Sequence, residues 1–428
     1  MAASSYQYDL CIVGAGLFGS AAARHASTLH PEWKICIIGP EEPKERSIVH
    51  DRDIFGAHYD EGRIARCVDR SPVYTKFSQE SIKRFAELEQ ASGIEFFTEV
   101  GNLLVGSRGT DFIKEISSTI ERDNIQCDQL SGNAMKKKFP FLNLPEEDIV
   151  FFEETNAGYI SPRKMIDAQL SIASRNGCDI IRDIVKTVNR IVITTGHVVE
   201  LVTDRRTTYM ARRVLLATGA FTTLRQLLGP NMQPDVRLMP ISVAKVEISA
   251  EDAGRIRSMP TVIYFGKGNK GWWDDIPSDG RGRSGFYMLP PIRYPDGKYY
   301  LKLGNFPEFQ GVDDIQTAAD LKAWYCLKDE TVLSRALGRL IQTLIPGVKM
   351  KSFKPDRCVI VETPTLRPYL DMLHSQLGLV TGGNGWAAKS SDEIGRLAVG
   401  MIMGGIEDEE LTADMFTTRY KMRSQSKL

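Results

Sequence analysis

The chain has no excess of charge of either sign: Lys and Arg number 54, and Asp and Glu number 54, among 428 residues. Without such an excess there is no field to draw nucleic acid or an anionic membrane surface. Seven cysteines are scattered without a single C-x-x-C pair, so neither a zinc site nor a disulfide framework is indicated. Their odd number fits reduced thiols in an intracellular compartment. Only six histidines occur, none paired at the helix-face spacing of a metal site, so no metal is expected. No apolar run approaches the roughly 18–20 residues needed to span a bilayer. Met1-Ala2-Ala3-Ser4-Ser5 has neither the basic nor the apolar stretch of a secretory leader. Internal repeats and low-complexity tracts are absent as well. What is left is a globular composition, 42% hydrophobic and 25% charged. The length suits two or three domains.

The first feature present is a β-α-β unit. Tyr8-Asp9-Leu10-Cys11-Ile12-Val13 reads as a buried strand, followed by the turn Gly14-Ala15-Gly16-Leu17-Phe18-Gly19. Ser20 to Ala26 reads as a helix of small residues, broken at Pro31 and Glu32, and Lys34 to Ile38 as a second strand ending at Gly39-Pro40. A G-x-G-x-x-G between strand and helix binds a dinucleotide. Gly14 and Gly16 permit the tight turn and backbone approach to a pyrophosphate, Gly19 lets helix and strand pack, and the helix N-terminus faces the phosphates. The second strand should end in an acid for the ribose hydroxyls, but the position holds Gly39. Glu41 and Glu42 follow, and one of them, Glu41 first, or a backbone group is expected to take the ribose. At the other end, Ser426-Lys427-Leu428 has the form of a peroxisomal address read by an import receptor. The tail from Lys421 is polar and basic, so the address is expected to be accessible. Peroxisomes confine enzymes that release hydrogen peroxide, and the two ends together suggest a flavin oxidase.

Between the ends, Thr75–Ser92 reads as a helix with Phe77, Ile82, Phe85 and Leu88 on its apolar face. Leu103–Val105, Asp179–Ile184, Val214–Leu216 and Val236–Ile248 read as strands, and Met165–Ser174 and Trp324–Ile345 as helical. Leu377–Val380 is a strand leading to Thr381-Gly382-Gly383-Asn384-Gly385, and a helix from Ser391 to about Met403 stops at Gly404-Gly405. Nucleotide-type pieces occur at both ends and in the middle, so the domains are interleaved.

Four segments carry a wider resemblance. They are Tyr59-Asp60-Glu61-Gly62-Arg63-Ile64-Ala65-Arg66, Lys302 within Tyr300-Leu301-Lys302-Leu303-Gly304, Cys358 within Asp356-Arg357-Cys358-Val359-Ile360, and Gly382-Gly383-Asn384-Gly385-Trp386-Ala387-Ala388-Lys389. In this order they resemble the monomeric sarcosine oxidase and pipecolate oxidase family of FAD-dependent amine oxidases. The resemblance implies that Arg63 lies near the flavin ring and that Arg66 and Lys389 hold a substrate carboxylate, which suits the two-pronged guanidinium. It implies that Lys302 promotes reaction with oxygen through its charge. It implies that Cys358 carries FAD through a thioether, and that Gly383 and Gly385 approach the flavin.

The fold so implied is α/β, with a glutathione-reductase-like, Rossmann-type FAD-binding domain from 1–88, 152–232 and 352–428. A substrate domain with a mixed, largely antiparallel sheet would come from 89–151 and 233–351. The implied reaction is oxidation of a secondary or N-substituted α-amino acid by a monomer, giving an imine and hydrogen peroxide. Two departures bear on the substrate: Phe306 stands where the family's small-substrate oxidases often have His, and Ile360 where an aromatic is common. They make the amine end more apolar and tilt the reading away from sarcosine itself; pipecolate, N-methylated amino acids and larger adducts stay open. No side chain is an obvious general base, so activity is expected to rise at alkaline pH. His58, Trp272, Trp273 and Trp386 are further candidates for the pocket. Alternatives are a dehydrogenase of the same fold, a NAD(P)-dependent enzyme using only the first turn, and an inactive FAD-binding protein.

Overall fold

The structure, a computed structural model, describes residues 7–42, 51–193, 196–306, 312–327, 331–406, 408 and 410–421. Ser426-Lys427-Leu428 lies outside the described residues.

The β-α-β unit forms where the sequence puts it. Strands Tyr8–Val13 and Ile35–Ile38 are parallel, in register from Leu10 opposite Ile35 to Val13 opposite Ile38. Helix Leu17–Leu29 connects them. Both strands are buried almost throughout, which is why they read as continuous apolar runs instead of alternating ones. The small residues of the helix serve a second helix as well as the sheet. A Cβ on Gly395, in helix Ala387–Met403, would lie 2.5 Å from the Ala21 Cβ. Ala21 and Gly395 therefore let two backbones meet closely, and the second helix carries the C-terminal glycine segment to the same place as the first turn.

The first sheet runs in the order Val185–Ile193, Gly196–Thr203, Thr208–Leu216, Tyr8–Val13, Ile35–Ile38, Asp179–Ile181. Leu377–Thr381 pairs in parallel with the second half of Thr208–Leu216, and Tyr369–His374 lies outside it. The second sheet has the order Ser352–Glu362, Arg237–Ile248, Tyr299–Asn305, Ser284–Arg293, Thr261–Gly266, Asn102–Gly106, Ile149–Glu153, Asp128–Leu130. It is antiparallel apart from the pair Thr261–Gly266 with Asn102–Gly106. A small third sheet joins Arg63–Ala65, Gly158–Ile160 and Phe97–Glu99. The fold is thus mixed α/β.

Two long helices of the sequence reading are each divided. Thr75–Ser92 becomes helices Pro72–Lys83 and Phe85–Ser92, with Arg84 at the break and its guanidinium reaching Asp392 and Glu393. Trp324–Ile345 becomes Ala318–Cys326 and Val332–Leu344. The apolar face of the latter, with Leu337, Leu340 and Leu344 buried, packs on the second sheet; each such side chain contributes about 1.5–3 kcal/mol. Among the described residues no helix is long and apolar enough to cross a membrane.

Candidate functional site

A cleft of about 710 Å³ collects the glycine turn, the two-arginine segment, the middle of Ser352–Glu362 and the start of helix Ala387–Met403. That size is ordinary for a cofactor or small-molecule site. It opens at the carboxyl ends of the parallel strands, where α/β sheets bind ligands.

The glycine turn leaves no room for side chains. Gly14 has φ +107°, and a Cβ there would come within 2.4 Å of the Ala217 carbonyl oxygen. A Cβ on Gly19 would fall 1.8 Å from the Gly14 oxygen. Gly16 differs: its nearest neighbour would be His58 Nδ1 at 3.8 Å, so its backbone is open on the cleft side. It caps helix Leu17–Leu29 without a side-chain hydrogen bond, leaving first-turn N–H groups for an anion. These features fit a dinucleotide pyrophosphate. Gly39 also has a steric reason, because a Cβ there would lie 2.5 Å from Ala15 N. Glu41 is exposed and does not line the cleft, and Glu42 is held by Arg163 Nε at 2.7 and 2.9 Å. His58 lines the cleft, and burial pushes its imidazole down to about 3, aided by Arg163 and Arg63, so it is neutral at ordinary pH.

Arg63 and Lys302 converge on a carboxylate that the sequence reading did not single out. Asp60 is buried and accepts from Lys302 Nζ and Arg63 through Oδ2, and from Tyr294 Oη at 2.8 Å through Oδ1. Lys302 Nζ also donates to the Gly62 carbonyl at 3.1 Å. Burial pulls the Lys302 ammonium below the usual lysine range, and Arg63 adds to this, while Asp60 opposes it. Asp60 is held well below the carboxylate range by Lys302 and Arg63, against burial. Arg63 lines the cleft; Lys302 does not. Arg63 Nη2 donates to the Ala57 carbonyl at 3.0 Å and lies 3.9 Å from Cys358 Sγ. Of the seven cysteines, Cys358 alone lines the cleft.

Arg66 and Lys389 meet in the same cleft around a second carboxylate missed in the sequence. Arg66 Nη1 donates to Asp69 Oδ2 at 2.7 Å, and Lys389 Nζ lies 3.1 Å from the same oxygen and bonds Ser78 Oγ. All three are buried and line the cleft. Arg66 Nε has no hydrogen-bond partner among the described residues. Burial brings the Lys389 ammonium down to about 8; Asp69 opposes this and Arg66 adds to it. Beneath them Glu153 accepts from Cys67 N at 2.6 Å and Val68 N at 3.2 Å, fixing the backbone between Arg66 and Asp69. Burial lifts its carboxyl to about 7. Asp60 and Asp69 each lie three residues from an arginine of the motif, the one available signal.

The segment Gly382–Gly385 is fastened by Asn384, which has φ +50°. Its Oδ1 accepts from Thr363 N at 2.7 Å, and its Nδ2 donates to Tyr74 Oη at 2.9 Å and the Gly382 carbonyl at 2.8 Å. Gly383 and Gly385 line the cleft; a Cβ on Gly385 (φ +81°) would lie 3.2 Å from Ile360 Cδ1. Phe306, Ile360 and Trp386 line the cleft, joined by Phe112, Phe265 and Tyr287. Trp272 and Trp273 instead pack on Tyr264, outside it.

Residues 9–401 match the family model for DAO, FAD dependent oxidoreductase. The chain belongs to this family. Among curated proteins it is 28% identical over 268 residues to human peroxisomal sarcosine oxidase, spanning 62% of this chain and 64% of that protein. It is 22% identical to monomeric sarcosine oxidase of Arthrobacter sp. (strain TE1826), spanning 95% of both. Among solved structures it is similar to NikD, an unusual amino acid oxidase essential for nikkomycin biosynthesis, with a TM-score of 0.73 and 17% identity over 98% of this chain and 99% of that one. The last similarity is one of fold. As a member of this family the chain is an FAD-dependent oxidoreductase.

Proposed function

We propose that this protein is an FAD-dependent oxidase of a secondary or N-substituted α-amino acid carrying an apolar flank. One observation carries the reading: Arg66 and Lys389 are paired in the cleft, and Arg66 keeps a buried Nε without a partner. The two buried cations face Asp69, with Glu153 beneath them lifted to about 7, and a substrate carboxylate pairs with both cations and accepts the orphaned N–H. The apolar lining from Phe265, Phe306 and Ile360 receives the amine substituent and excludes water. The names of similar proteins, sarcosine oxidases and N-methyl-L-tryptophan oxidase, supply the amine class.

FAD, when bound, would supply the two-electron chemistry that couples oxidation of the amine to reduction of oxygen. The chain's residues do the rest. Gly14, Gly16 and Gly19 cradle the pyrophosphate. Gly383 and Gly385 would let backbone approach the ring, and Arg63, on the same cleft, would stand near it. Cys358 holds FAD covalently, as the one cysteine in the cleft, and Lys302 assists the oxygen step. Overall, amine and oxygen become imine and hydrogen peroxide, and water then hydrolyses the imine. Among the described residues His58 is the imidazole on the cleft and is held down at about 3, too weak a base to take the amine proton, so substrate reacts as the free amine and turnover rises with pH from neutral. The enzyme acts as a monomer and is imported to the peroxisome by the receptor for Ser426-Lys427-Leu428.

The test has two parts. Flavin absorbance should stay with acid-denatured protein and come free in Cys358→Ala. Native enzyme should release peroxide with cyclic or N-alkyl amino acids and not with the corresponding amines lacking a carboxylate. Flavin that comes free from the wild type removes the covalent bond; peroxide release independent of the carboxylate removes the substrate class. One observation favours a dehydrogenase as the second reading: Lys302 is spent on Asp60 and does not line the cleft.

A further inference from the structure

The end of the second strand, where such units carry the acid that binds the adenosine ribose, is occupied by Gly39, and Ala15 leaves no space for any side chain there. Glu41 is exposed outside the cleft and Glu42 is paired with Arg163. The next strand of the sheet supplies a replacement. Asp179–Ile181 pairs in parallel with Ile35–Ile38, up to Ile38 opposite Ile181. The Ile181 carbonyl then accepts two N–H groups, from Gly39 at 3.0 Å and from Asp183 at 3.1 Å. Asp183 N and Gly39 N therefore flank one oxygen, and the Asp183 side chain leaves the backbone beside the place where the missing acid would stand. Asp183 is only 8% exposed and lines the same cleft as Gly14, Gly39 and Pro40. Its Oδ1 accepts from Ile184 N at 2.8 Å, and no described residue donates to Oδ2. Oδ2 is thus open on the cleft side to a donor that enters it.

The geometry points to Asp183 as the acceptor for the ribose hydroxyls of the adenosine half of FAD, acting from the neighbouring strand in place of the second-strand acid. A vicinal diol offers two O–H donors, and Oδ2, with the second lone pair of Oδ1, offers the matching acceptors. The consequence is specificity for a nucleotide with an intact adenosine diol.

The test uses the full chain made in riboflavin-starved cells, wild type and variants alike carrying Cys358→Ala so that no thioether forms and binding is reversible, titrated with FAD and with FAD lacking the adenosine 2′-hydroxyl, and followed by quenching of flavin fluorescence. Wild type should bind the deoxy compound about tenfold or more weakly, as hydrogen bonds to a charged acceptor imply. Asp183→Asn should bind FAD more weakly by a similar factor and should discriminate less between the two flavins, while Glu41→Gln should behave as wild type. Equal binding of both flavins by wild type overturns the proposal without any variant. So does loss of discrimination in Glu41→Gln with retention in Asp183→Asn.

Discussion

Two clusters beside the cleft are made from the same parts: one arginine of the motif, an aspartate three residues from it, and a lysine from a distant element. In the first, Asp60 accepts from Lys302, Arg63 and Tyr294. In the second, Asp69 accepts from Arg66 and Lys389, and Arg66 Nε has no partner. The first cluster is closed around its anion, and its lysine does not line the cleft. The second keeps a donor in hand, and both of its cations line the cleft. Equal composition thus gives different chemistry, because a buried cation is available to a ligand only when its own protein has not satisfied it.

Breaking the closed cluster should have the largest effect. Asp60→Ala strands Lys302 and Arg63 without their anion, and removing one partner of a buried ion pair costs about 3–5 kcal/mol. Chemical denaturation of the holoprotein should register that loss; a change under about 1 kcal/mol would mean that the cluster is not held by Asp60. Next, Lys302→Met should slow reoxidation by about 10²–10³-fold if Lys302 supplies the charge for the oxygen step. Anaerobic reduction of the same variant, followed by stopped flow, should be nearly unchanged. An unaltered oxygen step would favour the dehydrogenase reading.

The smallest expected effect sharpens the second cluster. Lys389 is held at about 8, below the usual lysine range, so it is charged below that pH and loses its charge above it. Carboxylate affinity should be fullest below about pH 7, where Glu153 beneath the pair is protonated, and fall as pH rises through Glu153 at about 7 and Lys389 at about 8. Asp69 favours the charged lysine, so Asp69→Asn should move this fall to lower pH. Turnover combines it with the rise from amine deprotonation, giving an alkaline optimum with a falling limb. A carboxylate affinity flat from pH 7 to 9 would show that Lys389 takes no part.

The sequence was informative where geometry is local. The β-α-β unit and the turn at Gly14 to Gly19 are legible because tight turns demand glycine and buried parallel strands are uniformly apolar. Arg66, Cys358 and Lys389 were reachable through family resemblance, since they come from separate strands and helices that only the fold brings together. Asp69, Asn384 and Asp183 were not singled out. An aspartate or asparagine looks the same in sequence on a solvated loop as between two buried cations, in a strained turn or at a strand end facing a cleft. The replacement at Gly39 was visible as an absence, but its cause, the contact with Ala15, is tertiary. Strand Ser352–Glu362, grouped by sequence with the cofactor half, runs in the second sheet opposite Arg237–Ile248, because antiparallel pairing at such separation leaves no local mark.

The most direct measurement is a titration of holoprotein with a non-reacting carboxylate such as acetate, read from the flavin absorbance spectrum, in wild type, Arg66→Ala and Lys302→Met. If the open cluster is the carboxylate site, wild type and Lys302→Met bind with similar affinity and Arg66→Ala weakens binding by about tenfold or more. Loss of binding in Lys302→Met with retention in Arg66→Ala would place the carboxylate at the other cluster and contradict the distinction between the two.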